Sequence, residues 1–354
     1  MINNSLFLIC MKTLESYLKR AGSKKDLQKT GGDFKEIYKL NPLTKDVYES
    51  FLKNLSAKLP LPLFETVIYV SMVERVSSLL GYQAPLFLQE LIVATGLSVI
   101  GTGLLNQRKL SKNKINFLET FGADVKHHEE MPLEKRISEI DELTEKVNDE
   151  YTPQKYERKY LAQEVNRELT AFIAEKSRVH VHTSDNVRNF GIAKLIFPFG
   201  EGGYNPLDGE ICRFGDRGVF EPHRIAHEFA HRKGYLMELE AQMLAYLSLI
   251  NSYDKELIQS AYCERLFSDM LVTADFNDDK FKETIETSAL RGELKQDFQK
   301  RTGKSGLYEK VVSFIMMPLY DLRMKLTGQN GIEDYSLGFT NFLYTIENTN
   351  KRKK

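Results

Sequence analysis

The chain has 354 residues, and its 49 Lys and Arg residues are balanced by 49 Asp and Glu residues, so the formal net charge at pH 7 is zero. The chain therefore has no net positive charge to attract nucleic acid, and we expect no nucleic-acid partner. Apolar residues make up 42% of the chain and charged residues 28%, which is typical of a globular protein with a buried core. The length is sufficient for one large domain or two ordinary ones.

Three cysteines, Cys10, Cys212 and Cys263, lie far apart and form no C-x-x-C pair. We therefore expect neither a cysteine-ligated metal site nor a disulfide framework. An apolar patch at residues 6–11 is too short for a membrane-spanning helix, and it lacks a preceding basic region and a small-residue cleavage site. It is not interpreted as a signal peptide.

Two regions are predicted ahead of residue 151. Residues 1–58 are rich in lysine and predict a charged helical segment, whereas residues 59–150 predict a helical region. Within the latter, residues 85–105 are almost uncharged and about as long as a bilayer requires. A membrane helix there predicts membrane association with the rest of the chain after it in the cytoplasm, because basic residues follow the stretch. A buried core helix predicts a soluble cytoplasmic protein instead.

Helical patterns dominate the charged part of the chain after residue 130. Apolar residues three and four positions apart predict an amphipathic helix from 133 to 147. These residues are Leu133, Ile137, Ile140, Leu143 and Val147. A second helix is expected to end near residue 176, and the break between the two helices is expected at 148–153.

Strand patterns are confined to the middle of the chain. Residues 179–182 alternate valine with histidine, and residues 192–199 are rich in β-branched and aromatic side chains, so both are candidate strands. Strand 192–199 is expected to bind an extended peptide by edge pairing. After Phe220 the pattern is helical again, with a break expected at residues 302–306.

Residues 227–231 read His-Glu-Phe-Ala-His. On a helix, His227 and His231 lie one turn apart on one face, so both imidazoles can reach one metal ion. Zn²⁺ is the expected metal, because it accepts two neutral imidazoles in tetrahedral geometry. Glu228 is placed to act as general base toward a zinc-activated water and then to return the proton to the leaving amine.

The surrounding residues favour a helix of defined ends. Pro222 is typical of a first turn, and Gly234 is typical of a C-terminal stop that leaves His231 in the final turn. Ile225 and Phe229 predict a buried stripe on this helix.

A catalytic zinc usually has a third protein ligand. Met237 stands six residues after His231, which excludes a third histidine there, so Glu238 and Glu240 are the candidates. Gln242 follows Glu238 by one helical turn, and its amide is expected to hold a ligand histidine in place. The residue one turn after Glu240 is Leu244, which cannot orient a ligand. Glu238 is therefore the preferred third ligand, and Glu240 is expected to form a salt bridge or to be solvated.

The run HEFAHRKGYLMELEAQMLAYL (227–247) resembles the pattern of a bacterial family of uncharacterised, predicted zinc metallopeptidases, domain-of-unknown-function family 3810. GIAKLIFPFGEGGYN (191–205), LTGQNGIEDYSLGF (326–339) and FETVIYVSMVERVSSLLGYQAPLFLQEL (64–91) resemble further stretches of the same family. The likeness covers roughly residues 60–345. The sequence is also similar to zincins whose third ligand is a glutamate with a polar residue four positions later. This likeness implies that Glu238 is the third ligand. The family's first membrane helix has no counterpart before residue 59, and its usual asparagine is replaced by Gln242.

These observations predict a mostly helical α+β protein in which residues 151–350 form a zincin-like metallopeptidase domain with a short sheet next to the motif helix. The expected substrate is a peptide or protein. Two alternatives remain open: a non-catalytic scaffold with a structural zinc, closed by His223 or Glu240 as a fourth ligand, and a hydrolase of non-peptide amides. His223 itself is expected to be partly exposed.

An oxyanion donor is also expected, and tyrosine is a common choice. Three tyrosines are candidates for this role, and the sequence does not distinguish them: Tyr204, Tyr262 and Tyr335.

Overall fold

The computed structural model describes residues 90, 114–153, 157–181, 183–189, 202–204, 211–213, 218–302 and 335–352, with positions 318, 321, 325 and 331. Several expectations lie outside these residues: the segment 1–58, strand 192–199, Cys10, His182 and, apart from Glu90, the stretch 85–105. No helix in the described part of the chain is long and apolar enough to cross a membrane.

The described residues are mostly helical, with one small sheet, which confirms the predicted α+β class. The helices are α1 (Phe117–Phe121), α2 (Leu133–Asp149), α3 (Arg158–Ser177), α4 (Glu221–Arg232), α5 (Glu238–Ile250), α6 (Lys255–Thr273), α7 (Asp278–Thr287), α8 (Gly292–Thr302) and α9 (Leu337–Arg352), with a 3₁₀ turn at Gly218–Phe220. The predicted break after α2 is confirmed, because α2 ends at Asp149 and α3 begins at Arg158.

The sheet contains three short strands, β1 (Arg188–Asn189), β2 (Gly202–Tyr204) and β3 (Ile211–Arg213). Their order is β1-β3-β2, with β1 parallel and β2 antiparallel to the central β3. Gly202 lies opposite Arg213 in this register. The described residues of the candidate strand 179–182 are not in a strand; Arg178, with φ 59°, turns the chain directly after α3.

Helix α4 lies within the first hydrophobic cluster, to which α3, α5, α6, α9, β3 and the residues around α1 also contribute. Ile225 and Phe229 are buried as predicted. The burial is not limited to one stripe, however, since every residue from Glu221 to His231 is buried. A helix surrounded on all sides is held rigidly, because each of its side chains packs against a neighbouring element.

A second hydrophobic cluster joins α2, α6, α7 and α8 beneath Phe220. The predicted apolar stripe of α2 is correct only in part, because Leu133 and Ile137 are 60% and 46% exposed. Their end of the helix instead buries Arg136, whose Nη1 lies 2.6 Å from Asp269 Oδ1. A buried ion pair thus occupies the space in which aliphatic side chains were expected.

All the helices and strands described here lie in one compact unit, formed by residues 114–177, 185–204 and 211–354. The described residues 90, 178–181 and 183–184 belong to a second unit. The domain boundary predicted near residue 151 lies between α2 and α3 and stays a prediction.

Candidate metal centre

The end of α4 is shaped by a glycine. Gly234 has φ 102°, a left-handed conformation that glycine adopts without a steric penalty. Its N–H donates to the His231 carbonyl at 2.9 Å, and the Tyr235 N–H donates to the Ala230 carbonyl at 3.1 Å. These two bonds form a Schellman motif, which ends the helix and folds the chain back over its last turn. His231 therefore lies in the final turn, as expected from Gly234.

The folded-back chain gives one histidine a backbone partner. His231 Nδ1 lies 2.7 Å from the Tyr235 carbonyl oxygen. A carbonyl oxygen only accepts hydrogen bonds, so Nδ1 carries the proton, and in the neutral ring Nε2 presents a lone pair. A backbone carbonyl that fixes the tautomer and orientation of a histidine is a common partner of metal-binding imidazoles.

Three ligand atoms meet where α4 and α5 approach each other. His227 Nε2 and His231 Nε2 are 3.0 Å apart, and they lie 3.1 Å and 3.0 Å from Glu238 Oε2. All three residues are buried, and together they form a group that can hold a metal ion. Glu238 is the first residue of α5, where the helix dipole favours a negative charge.

This donor set fits zinc. Two imidazole nitrogens and one carboxylate oxygen are a common ligand set of catalytic zinc sites. Ligand atoms about 2.0–2.1 Å from a tetrahedral metal lie roughly 3.3 Å from one another. The observed distances of 3.0–3.1 Å are close to that separation.

The electrostatics of the group favour a bound cation. Burial acts to lower the pKa of His231, but the adjacent Glu238 carboxylate outweighs it and raises that pKa to about 9. Burial acts to raise the pKa of Glu238, and the two imidazoles instead hold it well below its usual range. A carboxylate that stays ionised beside two imidazole nitrogens attracts positive charge to this point, whether a proton or a metal ion.

Glu228 lies beside the group without belonging to it. Its carboxyl is buried, and burial raises its pKa above the usual range. Among the described residues it makes no hydrogen bond or ion pair. A side-chain carbon at Gly202 would lie 3.3 Å from Glu228 Oε1, so the absence of a side chain there leaves room for the carboxylate.

A buried ion-pair network holds the sheet against α4. Glu221 Oε1 lies 2.8 Å from Arg213 Nε on β3, and Glu221 also pairs with Arg224, one turn before Glu228. Because β3 pairs with β2, this network fixes Gly202 over helix α4. The expected short sheet next to the motif helix is thus present, built from β1, β2 and β3.

The three candidate tyrosines are distributed unequally. The Tyr204 ring is stacked on His231 with centroids 6.1 Å apart, and the Tyr335 ring lies 6.0 Å from that of His227. Tyr262 instead packs against the second hydrophobic cluster, where Lys146 Nζ lies 4.1 Å from its ring centroid. The structure therefore brings Tyr204 and Tyr335 to the metal group.

Gln242 does not occupy the position expected for it. Its amide nitrogen donates to Glu264 Oε1 at 2.8 Å, on the side of α5 that faces α6. It makes no hydrogen bond to His227 or His231 among the described residues. The partner of His231 is the Tyr235 carbonyl instead, which lies closer because the chain turns at Gly234.

His223 is buried, at 2% exposure, so the expectation of partial exposure is wrong. The reason is the central position of α4, which leaves no solvated face. His223 Nδ1 lies 3.7 Å from Glu264 Oε2, and burial lowers the pKa of this histidine to about 4. Within the described residues it does not join the group of three ligands.

Glu240 forms an ion pair with Lys114, whose Nζ lies 3.6 Å from Glu240 Oε2. It is not among the three residues of the metal-binding group. Neither of the two residues considered as a fourth ligand thus closes the group in the described part of the chain. Within the described residues the candidate group therefore consists of His227, His231 and Glu238.

Sequence reasoning missed two contributors. The Tyr235 carbonyl is a backbone group, so no residue type in the sequence indicates that it contacts His231. Only Gly234, three residues after His231, indicates where the chain turns back. Gly202 lies in a glycine-rich stretch that predicts a loop. The sequence does not show that this glycine faces Glu228. Cys212 and Cys263 are buried and free.

Comparison with known proteins identifies the family. Residues 46–344 match the family described as "Protein of unknown function (DUF3810)", and this span includes all three ligand residues and Glu228. No curated protein and no solved structure matches the chain. Because the match covers more than half of its length, the chain belongs to the DUF3810 family.

Proposed function

We propose that this protein is a zinc-dependent metallopeptidase that hydrolyses peptide bonds, with His227, His231 and Glu238 as metal ligands and Glu228 as general base. One observation carries the proposal: three ligand atoms within 3.0–3.1 Å of one another share a buried site with an adjacent carboxylate. The arrangement is zincin-like, because both histidines and the base come from one H-E-x-x-H helix and the third ligand from the next helix.

A zinc ion held by His227, His231 and Glu238 would supply Lewis acidity, which would lower the pKa of a water molecule to about 7 and polarise the scissile carbonyl. Glu228 takes the proton of the attacking water. Its raised pKa brings the carboxylate closer to the working pH, where a general base is most effective. The same carboxyl then gives the proton to the leaving amine, which completes hydrolysis without a change in the net protonation of the protein.

Tyr335 is proposed as the donor to the developing oxyanion. The ring of Tyr204 packs against the first hydrophobic cluster as well as His231, so this ring has a packing role. Tyr335 lies outside both clusters, next to His227 and ahead of α9. A phenol at this place can donate its O–H toward an oxygen held between the ligands and Glu228.

A structural zinc in a non-catalytic scaffold is the rival function. The described residues favour the rival less: His223 Nδ1 lies near Glu264, at 3.7 Å, and Glu240 pairs with Lys114. Neither His223 nor Glu240 belongs to the group of three there. A purely structural site also has no use for a buried carboxylate held beside the ligands.

The test begins with the metal content of the purified full-length chain, measured with His231→Ala in parallel. We expect about one zinc per chain in the wild type and none in the variant. Zinc-loaded wild type and Glu228→Gln are then incubated with a mixture of unfolded proteins, and new peptide termini are identified by mass spectrometry.

Glu228→Gln should keep its zinc and lose turnover about 10²–10⁴-fold, because the ligands survive and the base does not. Cleavage that persists in this variant at the wild-type rate would exclude Glu228 as the base. Stoichiometric zinc without cleavage in the wild type would favour the scaffold. New products from non-peptide amides alone would favour a different hydrolase.

A further inference from the structure

The turn that joins α4 to α5 is held by a segment from far along the chain. The backbone N–H of Ile115 donates to the Tyr235 hydroxyl at 3.1 Å, a bond between residues 120 positions apart. The Tyr235 side chain is 1% exposed, so both ends of this bond are buried. A buried hydroxyl with a backbone partner fixes the position of its residue more closely than packing of the ring does alone.

The neighbours of Ile115 strengthen this attachment. Phe117 packs edge to face on the Tyr235 ring, with centroids 6.2 Å apart. Lys114 Nζ lies 5.6 Å from the same ring and 3.6 Å from Glu240 Oε2. We refer to Lys114, Ile115 and Phe117 as the clamp.

The clamp contacts the two elements that position the metal ligands. Tyr235 accepts the Ile115 N–H at its hydroxyl, and its carbonyl accepts the Nδ1–H of His231 at 2.7 Å. Glu240 lies in the first turn of α5, two residues after the ligand Glu238. One short segment therefore holds both the carbonyl that orients His231 and the helix end that carries Glu238.

We propose that Tyr235 is a positioning residue, held by the clamp, that sets the affinity and the coordination geometry of the metal site. The inference rests on the proposed function only in that the site binds a metal ion. The clamp acts on the ligands indirectly, through the Tyr235 carbonyl that binds His231 and through Glu240 near Glu238. Its loss should loosen the metal site without unfolding the protein.

The experiment compares Tyr235→Phe with Tyr246→Phe in the full-length chain. Tyr246 is also buried, and its hydroxyl lies 3.4 Å from Arg265 Nη1, away from the clamp. Both variants lose one buried hydroxyl and keep the aromatic ring. Zinc affinity is measured by competition with a chromophoric chelator, Co²⁺ coordination by visible absorption, and folding stability by urea unfolding of the metal-free protein.

We expect Tyr235→Phe to bind zinc about tenfold more weakly and to show an altered Co²⁺ spectrum. The tenfold loss is the lower end of the effect expected when a ligand histidine loses its hydrogen-bond partner. Tyr246→Phe should match the wild type in both readouts, even if its stability falls as much. Equal zinc affinities and Co²⁺ spectra in all three proteins would overturn the inference.

A second variant covers the case in which Tyr235→Phe does not fold. Lys114 is 27% exposed at its side chain, so Lys114→Met should fold, lose the ion pair with Glu240 and bind zinc about threefold more weakly. Unchanged zinc affinity in Lys114→Met would then overturn the inference. A wild type that binds no zinc would overturn the proposed function as well. A wild type that binds zinc, with variants of equal affinity, would overturn only the positioning role of Tyr235.

Discussion

His231 donates its Nδ1–H to the carbonyl oxygen of Tyr235, at 2.7 Å, and thereby directs Nε2 at His227 and Glu238. The bond exists because Gly234 reverses the chain at the end of α4 and brings the residue after it over the last helical turn. One residue of the candidate metal site is thus oriented by the local geometry of a helix end. The other contributors to the site come from more distant elements, and each leads to a separate prediction.

The third ligand is tested by comparing Glu238→Ala with Glu240→Ala. Glu238→Ala should lower zinc affinity by at least 10³-fold, because one of three ligand atoms is lost. Glu240→Ala loses only its ion pair with Lys114 and should keep one zinc per chain, with affinity reduced about tenfold or less. Chelator competition on the two purified variants measures this difference, and the reverse order of affinities would show that Glu240 is the ligand.

Gly202→Ala should impair the general base. The added carbon would lie 3.3 Å from Glu228 Oε1 and 3.0 Å from the Cys212 carbonyl oxygen, which is backbone in β3 and has little freedom to shift. We expect kcat to fall at least tenfold while zinc content stays at about one per chain, because the carboxylate moves and the ligands do not. Gly292→Ala is the matched control, since nothing lies within 4 Å of the added carbon. Equal kcat values for the two variants would contradict this role of Gly202.

Tyr335→Phe should lower kcat about 10²–10³-fold, the usual cost of removing one oxyanion donor, with little effect on zinc affinity. Tyr204→Phe should have a smaller effect, because the ring that stacks on His231 is retained. Tyr262→Phe is the control, since this tyrosine lies beside Lys146 in the second cluster. The three variants are compared on the peptide substrate found for the wild type, and a larger loss in Tyr204→Phe would transfer the donor role to that residue.

Glu264 should make folding stability depend on pH in acid. Burial acts to raise its pKa, but the Arg301 guanidinium, bonded at 2.9 Å to Oε1, outweighs burial and lowers the pKa from 4.5 to about 2. The folded state therefore binds this proton less readily than the unfolded state. The resulting stability, about 3 kcal/mol, is present above pH 4.5 and is lost as the pH falls toward 2.

This loss is measured by urea unfolding of the metal-free protein between pH 5 and pH 2. The stability difference between the wild type and Glu264→Gln should shrink over this range as the wild-type carboxylate is protonated. Glu293→Gln is the control, because Glu293 forms only an exposed ion pair with Arg291. A constant difference between the wild type and Glu264→Gln would mean that the folded pKa is not lowered.

Much of helix α4 was predictable from local patterns. The spacing of His227 and His231 places them on one helix face, and Pro222 and Gly234 mark the helix ends that the structure shows. These are consequences of helical periodicity and of the conformations open to proline and glycine, which act over a few residues. The likeness to DUF3810 was also recognisable from the sequence and is confirmed over residues 46–344.

Longer-range features were predicted less well for a physical reason. Leu133 and Ile137 have helical spacing, but the buried pair of Arg136 and Asp269 occupies the interior beside them. The exposure of His223 was misjudged because periodicity shows which residues share a face and not how many faces are covered. Charge pairs between distant residues leave no periodic signal in the chain.

The sequence by itself determined the family, the mostly helical class and the helix that carries His227, Glu228 and His231, because these depend on residue types at short spacing. Only the tertiary structure decided which glutamate faces the histidines. Glu238 meets them because the turn at Gly234 brings the start of α5 beside the end of α4, while Glu240, half a turn further on, points to Lys114. The approach of two helices is set by packing over the whole core, and no local pattern contains it.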